Sequence, residues 1–382
     1  MNPNSISNIP LATDGELALL NHCSVLKRCW KVLENSFERT GIIESIIDEE
    51  QKRIQFLGDY SALDRLESLS SKILSIENPQ YSHYLAVAQI DSARHHFLNA
   101  INHVNTARER GAPDEEVEPI ELSIMQATGT DLPLVLKKRQ DRAINIGGIA
   151  NLLPLAALLS DMGEFDQARK TYLEAFQGYR DLSPFALAWV CFYLGMLHGE
   201  ILPEPDLDEA TKWYENAIFY IPDYVHARVH LSEIHLNRNQ PKEAMQLLDP
   251  ITHTGDPEVY WRYAQALEIL NDKKESDHRL NLAKQSFNQL LSKHELGFAD
   301  HAVEFYLETE LDNDLALRLA KLNLENRHTL GAFEATYNAA IQVNDLRYAE
   351  RLTIQAKEMW SWCPAFQHSV FSEQNTMRAS HE

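Results

Sequence analysis

The sequence is poor in cysteine and in basic residues. Four cysteines occur in 382 residues, Cys23, Cys29, Cys191 and Cys363. None forms a Cys-x-x-Cys pair, so a zinc ribbon or a thioredoxin-type redox site is not indicated. So few cysteines do not make a disulfide scaffold, and a reducing compartment is expected. Lys and Arg number 35 against 56 Asp and Glu, a formal charge of -21. Nucleic acid is therefore not the expected partner, because phosphate binding needs a basic surface. The one basic run, LKKRQDR at 136–142, reads as a solvated helix face.

Other signatures are missing as well. No basic-then-apolar leader opens the sequence, so no signal peptide is expected. The apolar stretch INIGGIANLLPLAALL is interrupted by Asn145, Asn151 and Pro154 and is short for a bilayer span. No membrane association is expected, and the localisation read from these features is cytoplasmic. There is no phosphate-binding Gly-rich loop, no nucleophile elbow and no HExxH; KHELGF has the His-Glu pair without the second histidine. No cofactor is called for, and an enzyme is not expected. The acidic group Asp114, Glu115, Glu116, Glu118 and Glu121 reads as a helix start, where the macrodipole favours negative charge.

What the chain does have is a repeat. In MGEFDQARKTYLEAF, Ala168 and Ala175 are seven apart with Tyr172 between them. Small residues on one helix face admit a neighbouring helix, and the aromatic fills the space beside them. LDEATKWYENAIFYIPD repeats the pattern with Ala210, Tyr214, Ala217 and Pro222, and PKEAMQLLDPI with Ala244, Leu248 and Ile251. Weaker copies follow at Ser276, Leu280 and Ala283, at Ala316, Ala320 and Asn323, and at Ala349, Thr353 and Ala356. Their first anchors are 42, 34, 32, 40 and 33 residues apart. A period near 34 with insertions is that of a helix-turn-helix array. One insertion, GEILPEPD, interrupts the second unit.

These segments resemble the tetratricopeptide repeat family over about 149–364. The resemblance implies an all-α fold, a right-handed superhelical solenoid of antiparallel helix pairs. Residues 1–39 are expected to be an N-terminal segment whose amphipathic helix, 13–38, has Leu17, Leu20, Val25, Leu26 and Trp30 on its apolar side. Residues 40–148 read as degenerate helical repeats, with a helix pair turning at Gly129, and 365–382 as a polar, frayed tail.

The resemblance also implies that the first helix of each pair lines a concave groove. In the family's register its lining comprises Trp189, Phe192 and Tyr193; then His226, His230, Glu233 and Asn237; then Trp261, Arg262 and Gln265; then His301 and Phe305. Trp, Tyr and Arg are residue types that anchor interfaces. Some family members grip a carboxylate terminus with Lys, Asn and Arg; here those positions offer only Arg262 as a cation. With the net charge of -21, the expected partner is a protein or peptide of basic or amphipathic character. The expected function is that of a non-enzymatic scaffold or adaptor. A second reading stays open, a metal site or enzyme built on His226, His230 and Glu233, since 226, 230 and 233 share a helix face in HARVHLSEIH. A third is a ligand-sensing repeat protein. The oligomeric state is not addressed by the sequence.

Overall fold

The structure is a computed structural model, and it describes residues 10–35 and 40–372. No strand occurs among the described residues. In chain order the helices are α1 (Gly15–Asn35), α2 (Thr40–Leu57), α3 (Ser61–Leu74), α4 (Tyr81–Ala93), α5 (Phe97–Glu109), α6 (Asp114–Thr128), α7 (Leu132–Asn145), α8 (Ile149–Asp161) and α9 (Phe165–Gly178). They continue as α10 (Pro184–Met196), α11 (Leu207–Tyr220), α12 (Val225–Asn237), α13 (Pro241–Leu248), α14 (Pro257–Ile269), α15 (Lys273–Glu308), α16 (Asn313–Asn326), α17 (Leu330–Gln342) and α18 (Leu346–Trp360). α15 is two helices joined at His294, whose φ of -134 and ψ of 49 break the helical path. The all-α helix-pair solenoid class expected from the repeat is the one observed.

The chain divides into two compact units. One holds residues up to Ile76, 141–157 and 165–286; the other holds 77–140, 158–164 and the residues from 287 on. In the first unit α10 packs on α11, α11 on α12, α12 on α13 and α13 on α14. In the second, α4, α5 and α6 form one layer of pairs, and α16, α17 and α18 another.

The repeat anchors explain the pairing. Ala168, Tyr172, Ala175, Ala210, Tyr214, Ala217, Ala244, Leu248, Ala283, Ala316, Ala320, Ala349 and Ala356 are all buried. The turns repeat too. Asn239, Asn271 and Asn344 have φ of 56, 62 and 60, and Gly163 has 82. Each stands between the first and second helix of a pair, where the chain must enter the left-handed region that Gly and Asn tolerate. Aspartates then cap the following helices: Asp312 accepts from Leu315 N and Asp345 from Tyr348 N. α6 begins at Asp114, so the acidic group does open a helix, and it ends at Gly129 with a φ of 71. A Cβ there would sit 2.8 Å from the His328 carbonyl oxygen.

Two expectations need correction. The buried stripe of α1 is Gly15, Ala18, His22, Leu26, Cys29 and Leu33, while Leu17, Leu20 and Val25 are exposed and Trp30 is half-buried. Of the five residues expected on the apolar side only Leu26 lies in that stripe, because small residues and a histidine that pairs with Glu49 take the other contact positions. Residues 36–38 of the expected helix lie outside the described residues. The tail is packed as far as Ser372, with Phe366 and Phe371 buried; its remainder also lies outside them.

Gly195 marks a close helix–helix approach in the first unit. A Cβ on it would lie 2.5 Å from the ring of Tyr214 on α11. Alanine gains about 1 kcal/mol of helix propensity over glycine. Overpacking costs about 1–3 kcal/mol. We expect G195A to lower the melting temperature, while G178A, whose added Cβ meets nothing within 4 Å, does not. A G195A melt at or above wild type would contradict the close packing.

Candidate functional site

Three consecutive first helices, α10, α12 and α14, carry most of the sequence-selected residues. α10 does not stop at its last regular turn. It runs into a π-helical turn, Leu197–Ile201, within the inserted segment. A π turn places an extra residue per turn and is often found at functional positions. Here it swings Glu200 back toward α11 and α12.

Glu200 Oε1 accepts the Tyr214 hydroxyl at 2.9 Å and lies 2.7 Å from His230 Nδ1. His230 Nδ1 is also 3.6 Å from Glu233 Oε2. Glu233 Oε1 accepts Arg262 Nε at 2.6 Å, and Arg262 reaches the Gln265 side-chain oxygen at 3.3 Å. The Arg262 guanidinium lies over the Trp261 ring at 3.8 Å, a cation–π contact. His230 stacks on Tyr214 at 5.7 Å and meets the edge of Phe192 at 5.3 Å. An ion-pair chain thus runs from the inserted turn through α12 to α14.

The electrostatics follow. Burial alone would lower the His230 pKa, but the carboxylates of Glu200, Glu233 and Glu258 outweigh it and raise it to about 9. The ring is therefore imidazolium at neutral pH, and Nδ1–H donates to Glu200. Burial works to raise the Glu200 pKa, yet His230 and the Tyr214 hydroxyl bring it below the ordinary value.

Beside this chain lies an aromatic ledge. Trp189 is 37% exposed and Tyr193 is half-buried, their rings 6.2 Å apart. Tyr193 continues to Phe192 at 6.0 Å. The other side of Trp189 meets α2: Phe56 packs against Trp189, Phe185 and Tyr224 at 6.4, 5.2 and 4.6 Å. Gln55 donates to the Tyr224 hydroxyl at 3.1 Å, and Tyr60 donates to Asp256 at 2.8 Å. The N-terminal helices therefore seat on the starts of α10, α12 and α14.

Several sequence-selected residues are core. Trp261 is 1% exposed, and Phe192 is buried against Tyr214 and Tyr224. Phe305 is buried against Phe287 at 4.8 Å, in the second unit, where His301 is exposed. Arg262 is buried, its charge answered by Glu233. In each aromatic case the ring faces packed helices instead of a groove. Asn237 is exposed at the end of α12. His226 turns its ring to Phe192 and Tyr224, at 6.3 and 6.5 Å, and is not part of the metal-capable trio, which is Glu200, His230 and Glu233. Glu200 was missed by the family register; its only signal is a glutamate inside an insertion.

A tetratricopeptide repeat family model matches residues 204–272, from the end of the insertion to the turn after α14. The match covers less than a fifth of the chain. No curated protein matches the sequence. Among solved structures, the APC/C hetero-tetramer Cut9-Hcn1 is 13% identical, with 93% of this chain and 66% of that one covered and a TM-score of 0.44. A Rap protein complexed with competence and sporulation factor is 15% identical over 90% and 98%, with a TM-score of 0.47. Yeast Tom70 is 14% identical over 96% and 87%, with a TM-score of 0.32. This chain spans just under two thirds of the Cut9-Hcn1 chain it matches.

Asp256 offers a test of this surface. It caps α14 through the Glu258 and Val259 amides, and it is buried. Burial first, then Glu258, raise its pKa to about 6, against the hydrogen bonds from Tyr60 and the two amides. The folded state therefore binds this proton more tightly than the unfolded chain. Its stability cost is absent near pH 3, grows between about pH 4 and 6, and is complete above that. An asparagine keeps the cap and carries no charge. We expect the stability of D256N relative to wild type to improve by up to about 3 kcal/mol from pH 4 to pH 8, at about 1.4 kcal/mol per pKa unit. Parallel denaturation curves at the two pH values would refute it.

Proposed function

We propose that the chain is a non-enzymatic scaffold or adaptor of the cytoplasm that holds a protein or peptide partner on the α10–α12 face of its first unit. The observation that carries this reading is the partly exposed Trp189–Tyr193 ledge beside solvent-accessible carboxylates. An exposed tryptophan next to a second aromatic is informative, because isolated surface positions rarely keep such rings. Trp189, Tyr193, Met196 and Glu200 recur at intervals of four, three and four, so they share one face of α10 and its π turn. The face passes from aromatic, through an adaptable methionine, to a carboxylate with 42% of its side chain exposed. Glu258 adds negative charge to the field at His230 and Glu200.

An amphipathic, basic helical segment is the partner such a stripe suits. Its apolar side would lie on the ledge and its cations toward Glu200, and the net charge of -21 would speed the encounter. Trp261 and Arg262 are not the contacts, since both are buried. The test is affinity capture from the native source with wild type and with W189A/Y193A as baits. We expect the double variant to stay folded by circular dichroism, with a lowered melting temperature from the lost ring packing, yet lose the partner, with binding of the identified partner weakened by about thirty-fold or more, the scale of an aromatic anchor. Undiminished binding by a folded double variant would place the contact elsewhere.

A further inference from the structure

The trio that the inserted turn completes has a second use. We infer that Glu200, His230 and Glu233 form a site for a zinc-like divalent cation. The three side chains present one nitrogen and two carboxylate oxygens, a mixed set that suits zinc. One ligand atom from each lies within 4.8 Å of the others. His230 Nδ1 is 2.7 Å from Glu200 Oε1 and 3.6 Å from Glu233 Oε2. Bonds of about 2.0–2.2 Å to a shared ion put neighbouring ligands about 3.0–3.5 Å apart. The two gaps from His230 bracket that range and need adjustments of a few tenths of an ångström, while the two carboxylate oxygens lie within 4.8 Å of each other and close on the ion by side-chain rotation.

The surroundings fit a metal centre. Tyr214 holds Glu200, and Arg262 holds the far oxygen of Glu233, which leaves Oε2 turned to the imidazole. Outer partners of this kind fix ligand orientation. Coordination uses the lone pair of Nδ1, so a proton carried there passes to water as the ion binds. Glu200 keeps a partly exposed side chain, so the remaining coordination positions open to water. His226, four residues earlier on the same helix, is not among the three ligands. This inference stands whether or not a peptide binds the neighbouring ledge.

The test is titration of tag-free protein with zinc against a chromophoric chelator. We expect saturable binding of a single zinc with a Kd of about 10 µM or tighter. E200Q and E233Q should each weaken it by about tenfold or more, and H226Q should leave it unchanged. Should either glutamine variant fail to fold by circular dichroism, imidazole nitrogen spectra of the wild type decide: the His230 resonances must shift on adding one equivalent. No saturable binding below about 100 µM, binding that survives both glutamine substitutions, or an unmoved His230 would overturn the site.

Discussion

Tyr214 is the side chain on which both the packing and the polar site depend. Its ring occupies the aromatic place of the repeat, so close to α10 that a Cβ at position 195 would press on it at 2.5 Å. The other face of the ring environment is His230, stacked at 5.7 Å. Its hydroxyl cannot be left unpaired in the core, because a buried unsatisfied polar group costs about 1–3 kcal/mol. The partner it finds is Glu200, delivered by the π turn. A rule of helix packing thereby fixes a carboxylate beside a histidine.

The charges that follow are mutually dependent. Two carboxylates held this close would repel, and a buried imidazole alone would shed its proton. Together, with Arg262 at the far end, each makes the other's charge tolerable. The chain ties the inserted turn to the first helices of the next two repeats. It gives the surface beside Trp189 and Tyr193 a defined, negatively biased edge. Recognition is proposed there because the aromatic ledge is accessible and the charged edge is rigid.

The repeat was legible because its determinants are local. Ala210, Tyr214 and Ala217 need only helical spacing to announce a packed face, and all three are buried. The positive-φ turns at Asn239, Asn271 and Asn344 were not legible in the same way, because asparagine is also an ordinary surface residue. The site was legible only in part. His230, Glu233 and Arg262 were selected by the register and do meet. Trp261 and Phe192 came from the same register and are core, since one first-helix face serves packing and exposure alike. Glu200 lies in an insertion, where no register applies, and its approach to His230 depends on a π turn that spacing does not reveal. The seat of Phe56 against Trp189 joins residues 133 positions apart, beyond any local pattern.

The measurement that bears most directly on this coupling is the imidazole spectrum of His230 in Tyr214→Phe, alongside its melting curve. Loss of the hydroxyl keeps the ring and the packing, so the fold should persist with a melting temperature lowered by a few degrees, as about 1 kcal/mol of lost hydrogen bonding implies. Glu200 should lose its anchor, and the His230 resonances should move away from those of the tightly paired imidazolium. If Tyr214→Phe leaves the His230 resonances where they are in wild type, the repeat core and the polar site do not share this side chain.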